Sequence, residues 1–383
     1  MIDGVELRVA AAKARDELIT WLTDAAYPVW STRGTDLVLG GFHESLSLDG
    51  NPLDAPRRGR VQPRQIFAFA KARRLGWKED GVLQVSHGLT YFLTRYRRPD
   101  GLFRALVAPD GAPLDHRAVL YDQAFALLAF AVASPVLGPS FDLPGEAEQL
   151  RLAVWRQFHR PNRGFNSHIP GGPPLQSNPH MHLLEATLAW FQATGLPAWK
   201  ELADEIGELA LKHFIDRTSG ALRESFDESW EPMQGVSGRI VEPGHQFEWA
   251  WLLLNWNGPW RDDARKAAAR LIDIGETYGV RNGVAVNALL DDFSIHDGAA
   301  RLWVQTERLR AAAIAARLMG DEKYWQMVVD AASGLLRYLD VPVPGLWHDL
   351  LTAAGEWTEG PVPAGNLYHI VGAIEELDTL FKD

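Results

Sequence analysis

GLFRALVAPDGAPLD, residues 101–115, is a glycine followed by apolar residues, a few alternating positions and a second turn at Pro-Asp-Gly, the pattern of a small hairpin. Five other stretches are built alike: GGFHESLSLDGNPLD (40–54), RGFNSHIPGGPPL (163–175), GALRESFDESWEPM (220–233), NGVAVNALLDDFSIHDG (282–298) and GLWHDLLTAAGEWT (345–358). Their glycines, Gly41, Gly101, Gly164, Gly220, Gly283 and Gly345, stand 60, 63, 56, 63 and 62 residues apart, so the chain reads first as six copies of one unit. Between the copies lie longer runs with apolar residues three and four apart. YDQAFALLAFAVA (121–133), MHLLEATLAWFQATG (181–195), QFEWAWLLLNW (246–256), RLWVQTERLRAAAIAARLMG (301–320) and YWQMVVDAASGLLRYL (324–339) are the clearest, and all predict helices. One unit is therefore helix, hairpin loop, helix.

Six helical pairs cannot bury their apolar faces one at a time, and an open stack leaves two raw ends. The expectation is an all-α fold, an (α/α)6 barrel: a toroid of six helical hairpins with short β-hairpins in the loops on one face. It is expected to form one catalytic domain over residues 1–383. An open superhelix is the alternative, but such stacks use repeats of roughly 33 to 47 residues, shorter than this period.

With 46% hydrophobic residues the chain has material for a large core, and no segment approaches the roughly 20 apolar residues that span a bilayer. The start, MIDGVELRVAAAKARDELITWL, carries acidic residues and runs into a helical pattern, unlike a secretory signal. Zero cysteines remove disulfides and thiol catalysis. A cytoplasmic monomer or homodimer without membrane contact is the expectation. The formal charge of −11 argues against a nucleic-acid partner, which needs clustered Lys and Arg. The one basic stretch, Arg57, Arg58 and Arg60, reads as a solvated loop leading into the helix that carries Arg64. Fifteen tryptophans suit packing between helices, and also a pocket that stacks aromatic faces on sugar C–H surfaces.

Polar residues interrupt the helical runs at Arg64, Tyr121, Asn178 with His182, His245 with Glu248, Trp303 with Glu307, and His369. Counted from the first of each, the steps are 57, 57, 67, 58 and 66 residues. In a ring of helical pairs all inner helices run the same way, so equivalent positions near their starts converge on one mouth. Pro63, Asn178-Pro179 and Pro243 mark those starts as first-turn prolines and an asparagine cap. A first-turn imidazole feels the positive end of the helix dipole, which favours the uncharged form and a role as base. Taken singly, His182 and His369 could be core histidines, Glu307 could pair with Arg310 or Arg308 on a surface, and Tyr121 could anchor a helix end. The shared period favours a pocket.

Other chemistries lack their motifs. His180 and His182 are two apart on a helix and point away from each other, and no HExxH or cysteine set supports a metal. No GxGxxG, phosphate-binding loop or GxSxG elbow is present. A glycosidase, which needs two carboxylates flanking a sugar bond, is the competing enzyme, and a non-catalytic sugar-binding protein is the competing non-enzyme. Two or three histidines, an arginine and carboxylates suit proton transfer at carbon better than glycosidic cleavage.

VQPRQIFAFA (61–70), NPHMHLLEA (178–186), PGHQFEW (243–249), WVQTE (303–307) and NLYHI (366–370) occur in one order along most of the chain. In these motifs the sequence resembles the N-acylglucosamine 2-epimerase superfamily, which includes cellobiose 2-epimerases, mannose isomerases and sulfoquinovose isomerases. The resemblance implies an (α/α)6 barrel, a small-molecule sugar substrate, and no metal or redox cofactor. It implies that His245 and His369 are paired acid/base histidines, and that Arg64, Asn178, His182 and Glu248 hold the sugar and tune them. Tyr121, Trp303 and Glu307 are implied as further sugar contacts. The implied reaction opens the sugar ring, removes the C2 proton to give a cis-enediol(ate), and returns the proton to C1 for a ketose or to C2 for an epimer. WVQTE with GRVQPRQ is closer to bacterial monosaccharide isomerases, so an aldose–ketose isomerase of the mannose-to-fructose type is expected, with a 2-epimerase as alternative.

Overall fold

The computed structural model describes residues 4–256 and 258–382, so Met1–Asp3, Asn257 and Asp383, including the first residues of the leader reading, lie outside it. Thirteen helices follow in chain order among the described residues. They are α1 (Gly4–Trp21), α2 (Tyr27–Thr32), α3 (Val61–Ala70), α4 (Val82–Arg95), α5 (Leu120–Leu137), α6 (Leu143–Phe158) and α7 (Ser177–Thr194), then α8 (Pro197–Leu209), α9 (Pro243–Asn255), α10 (Arg261–Ile274), α11 (Leu302–Met319), α12 (Glu322–Leu339) and α13 (Asn366–Thr379). The odd-numbered helices from α3 to α13 pack in a closed cycle, each against the next and α13 back against α3. The others lie outside them, and α1 packs on α12 across the seam. This is the six-fold ring of helical hairpins, with the loops that precede the inner helices gathered at one end.

Inner helices touch neighbours on both flanks, which explains an apparent contradiction. Leu120–Ser140 is long and apolar enough to cross a membrane, contrary to the sequence reading, yet two thirds of it is buried inside the ring. Its apolar girdle meets α3 on one side and α7 on the other.

All six repeat glycines have positive φ, from 70° to 92°. At Gly41 a Cβ would fall 2.5 Å from the Tyr91 ring and 2.7 Å from Gln62 Oε1, so the position demands glycine twice over. Gln62 is there for a reason: its side chain accepts from the Phe42 N–H at 2.8 Å and donates to the Phe42 carbonyl at 2.9 Å. Gln123 grips Phe103, Gln246 grips Leu222 and Gln305 grips Ala285 in the same two-handed way. In the third unit His180 takes the place, accepting from the Phe165 N–H at 2.9 Å while its other ring nitrogen meets the Gln176 carbonyl at 2.8 Å. A buried amide at four inner-helix starts, and an imidazole at a fifth, thus satisfies the backbone of the loop turn behind it.

The strands differ from expectation in their partners. Short bridges close within the loops, as at Thr35 with Phe42 and Arg97 with Phe103. Every junction between adjacent units is also bridged: Arg57–Arg58 with Leu106–Val107, Val119 with His168, Leu175–Gln176 with Ser225–Phe226, Val241 with Leu289, Ala300–Arg301 with Leu350–Leu351, and Ser45–Leu46 with Val362–Pro363. The last pair joins the first loop to the sixth. The loops form a belt that closes as the helices do.

Candidate active site

No side chain caps any of the six inner helices, so their first-turn N–H groups and dipoles gather at the belt end. Asn178 is not the cap it was expected to be. Helix α7 begins at Ser177, and the Asn178 Oδ1 is buried without a partner beside a cavity of about 400 Å³. That cavity is also lined by Arg64, Tyr121, His182, His245, Glu248, Trp303 and His369, which brings eight of the nine expected residues to one place. The ninth, Glu307, is 0% exposed and lies behind His369, so it is not the sugar contact the resemblance implied.

The two expected catalytic imidazoles flank the Trp303 indole, with ring centroids 5.2 Å away for His245 and 5.8 Å for His369. Each uses Nδ1 on a carboxylate: His245 on Glu224 Oε2 at 2.9 Å, His369 on Glu307 Oε1 at 2.7 Å. Their charge states diverge. Burial alone would push the His245 imidazole down, but the Glu224 carboxylate and then Glu242, 3.5 Å away, outweigh it and hold the ring charged, with its pKa pushed up to about 10. His369 is held well below the usual histidine range by burial, then by the guanidinium charges of Arg64 and Arg310. The expectation of two uncharged rings is corrected on one side: helix dipoles do oppose a charge on His245, and two nearby carboxylates prevail.

Burial pushes Glu307 up to about 7, against the pull of Arg310. With His369 neutral, its Nδ1–H donates to Glu307 and its Nε2 lone pair is left for the cavity. Charged His245 donates through Nδ1 to Glu224, leaving an Nε2–H as donor. The same residue type therefore offers a lone pair to the cavity at His369 and an N–H at His245.

Below them lies a layer of buried charge. Arg310 donates to Glu185 at 2.9 Å, stacks 3.4 Å over the Trp251 ring centroid and stands 3.6 Å from Glu307. Glu185 also accepts from the Tyr368 hydroxyl, and its carboxyl is held low by Arg310 against burial. Beyond this layer a separate cavity of about 480 Å³ opens at the opposite end of the ring among Phe67, Leu128, Leu188 and Trp251, with none of the expected site residues in its lining. His182 rests above the layer, 3.5 Å from Glu185 and 3.7 Å from Glu248, and burial pushes it down to about 4. The Glu248 carboxyl is pushed well up by burial and by the neighbouring Glu307 and Glu185, and its Oε1 has no partner. Arg64 donates to the Tyr121 hydroxyl at 2.5 Å, lies 4.3 Å over the Phe125 ring, and has no ion pair among the described residues.

Sequence reasoning missed Glu224 and Glu242, which charge His245, and Arg58, Arg60, Arg301, Asp349 and Asn366, which line the cavity. Glu224 had a signal: it stands four residues after the repeat glycine Gly220, and its Oε2 is shared with Ser177 Oγ at 3.0 Å. The basic stretch was misread. Arg57 is buried on Asp36 at 2.5 Å, Arg58 is tied to Glu44, and Arg60 faces the cavity. Three trios could offer metal ligands, His182–Glu185–Glu248, Glu224–Glu242–His245 and Glu248–Glu307–His369, their donor atoms within 4.8 Å of one another. In the latter two an ion would have to displace the proton that joins imidazole to carboxylate.

The family model described as N-acylglucosamine 2-epimerase (GlcNAc 2-epimerase) matches residues 40–373. A protein of Rhizobium meliloti strain 1021 called mannose-6-phosphate isomerase is 46% identical over 99% of this chain and 99% of its own. A D-mannose isomerase of Thermobifida fusca is 27% identical over 90% of this chain and 91% of its own. The solved cellobiose 2-epimerase of Spirochaeta thermophila DSM 6192 superposes with a TM-score of 0.85 at 21% identity, covering 98% and 99% of the two chains.

Proposed function

The chain belongs to the N-acylglucosamine 2-epimerase family of sugar isomerases and epimerases, and on that premise we propose that it is an aldose–ketose isomerase interconverting D-mannose-type and D-fructose-type sugars. The observation that carries this reading is the pair of imidazoles in opposite charge states on either side of Trp303. His245 supplies the proton that the ring oxygen takes up as the C1–O5 bond breaks, and the O1 proton leaves to solvent as the C1 carbonyl forms. His369 Nε2 then removes the C2 proton, whose bonding electrons form the C1–C2 double bond of an enediolate. Arg64 and Glu248, both in the cavity wall, meet the developing oxyanion. Return of the proton to C1, with the O2 proton passing to the O1 oxyanion, gives the ketose.

A hydrolase would need two carboxyl groups flanking the scissile bond, and of Glu248 and Glu307, the two carboxylates that interrupt the helical runs, Glu307 has no access to the cavity. The relatives called mannose isomerase and mannose-6-phosphate isomerase share the mannose configuration and differ at C6. We place the reaction in the cytoplasm, in one catalytic domain that acts without a cofactor. Incubation of the protein with D-mannose and its 6-phosphate in heavy water tests the reading. The expected product is the ketose; formation of the C2 epimer instead would make the enzyme an epimerase, and no reaction with either would end the proposal.

A further inference from the structure

The belt holds a second concavity that none of the chemistry above uses. It has a volume of about 480 Å³ and adjoins the catalytic cavity, sharing Arg60, Tyr121 and Asn178 with it. Its wall continues through Arg117, His168 and Gln176, and no aspartate or glutamate lines it. That is notable in a chain with formal charge −11. The catalytic cavity differs, because Glu242, Glu248 and Asp349 answer its arginines.

Two inner helices begin in this lobe. Val119 and Gln176, the residues just before α5 and α7, both line it, and neither end has a side-chain cap. Their dipoles add positive potential to that of the side chains. Arg60 is only loosely neutralised, its carboxylate neighbour Asp122 standing 3.5 Å off and wholly buried. Arg117 is largely exposed and pairs with Asp115 through two hydrogen bonds. A lobe lined by two arginines, helix starts, hydroxyl and amide groups, with the carboxylates of Asp115 and Asp122 outside its wall, matches a dianion. Its place beyond the Tyr121–Asn178 neck puts that dianion on the part of the sugar that does not react.

We propose that this lobe is a phosphate subsite and that the substrate is a hexose phosphate, its ester bound by Arg60, Arg117 and the starts of α5 and α7 while C1 and C2 lie between His245 and His369. The inference rests on the isomerase reading for its reaction but not for its anion. Two measurements keep them apart. In the first, kcat/KM is compared for D-mannose 6-phosphate and D-mannose. The wild-type protein prefers the phosphate at least tenfold, and Arg60→Gln and Arg117→Gln each lower that ratio severalfold, chiefly through KM. A ratio near one, or a ratio the variants leave alone, overturns the subsite while the isomerase reading stands. In the second, inorganic phosphate is titrated against the wild-type protein and an Arg60→Gln/Arg117→Gln variant at constant ionic strength, with circular dichroism to confirm that the variant folds. Saturable binding lost in the variant supports the subsite even if neither sugar turns over. Absence of phosphate binding by the wild type overturns it.

Discussion

His245 and His369 are one residue type set to opposite tasks by what faces Nδ1 and by the charges around them. Because the folded His245 titrates near 10, above the ordinary value of about 6.5, its stabilising effect is full below that ordinary value and is lost as pH rises through about 10. His369 is depressed, so charging it opposes the fold and the reaction as pH falls below its ordinary range. The profile of kcat/KM should therefore be a broad plateau with an alkaline limb near 10. Glu224→Gln removes the larger of the two charges holding His245 up and should draw that limb towards neutrality; an unmoved limb would assign the acid elsewhere. His369→Ala should lower kcat by about 10²–10⁴-fold with helical content unchanged, as loss of a general base does. Both histidines were visible in the sequence because each interrupts an apolar helical run. The charge on His245 was not, because Glu224 and Glu242 sit in a loop and at a helix boundary, and reach the ring only after folding.

The periodic helices announced themselves, and so did the turns, since all six repeat glycines adopt a left-handed backbone in the loops their recurrence marked. Strand partners were not legible. A turn sequence says that a hairpin can form, whereas the pairing of Arg57–Arg58 with Leu106–Val107 depends on which loop the ring sets alongside. The same blindness made Arg57, Arg58 and Arg60 look like a solvated run, when their neighbours in space are Asp36, Glu44 and Asp122. The buried amides tying inner helix to loop recur too, but a lone Gln in a helix carries no sequence signal of a buried role. Gln305→Ala would strand the Ala285 N–H and carbonyl, each at a cost of about 1–3 kcal/mol. Denaturant titration should show that loss, and a change under about 0.5 kcal/mol, the size of an ordinary surface substitution, would mean the amide is dispensable.

Across the whole molecule, Glu185 on α7 and Arg310 on α11 clasp each other from the two helices that flank α9, with Tyr368 on α13 drawn in. Arg310→Met leaves the Glu185 carboxylate buried without its cation, which should destabilise the ring by about 3–5 kcal/mol. Adding Glu185→Leu should restore much of the melting temperature, because a packed apolar pair can replace a buried ionic one, yet leave activity low, since His182 and Tyr368 lose their anchor. Recovery of both would reduce the clasp to mere filler. The seam has a consequence for biosynthesis. The Ser45–Leu46 loop waits for Val362–Pro363, and the helix that follows them carries His369. A nascent polypeptide emerging from the ribosome thus holds an unfinished horseshoe, its bare flanks in need of shelter from aggregation, until the keystone that shuts it also delivers the base.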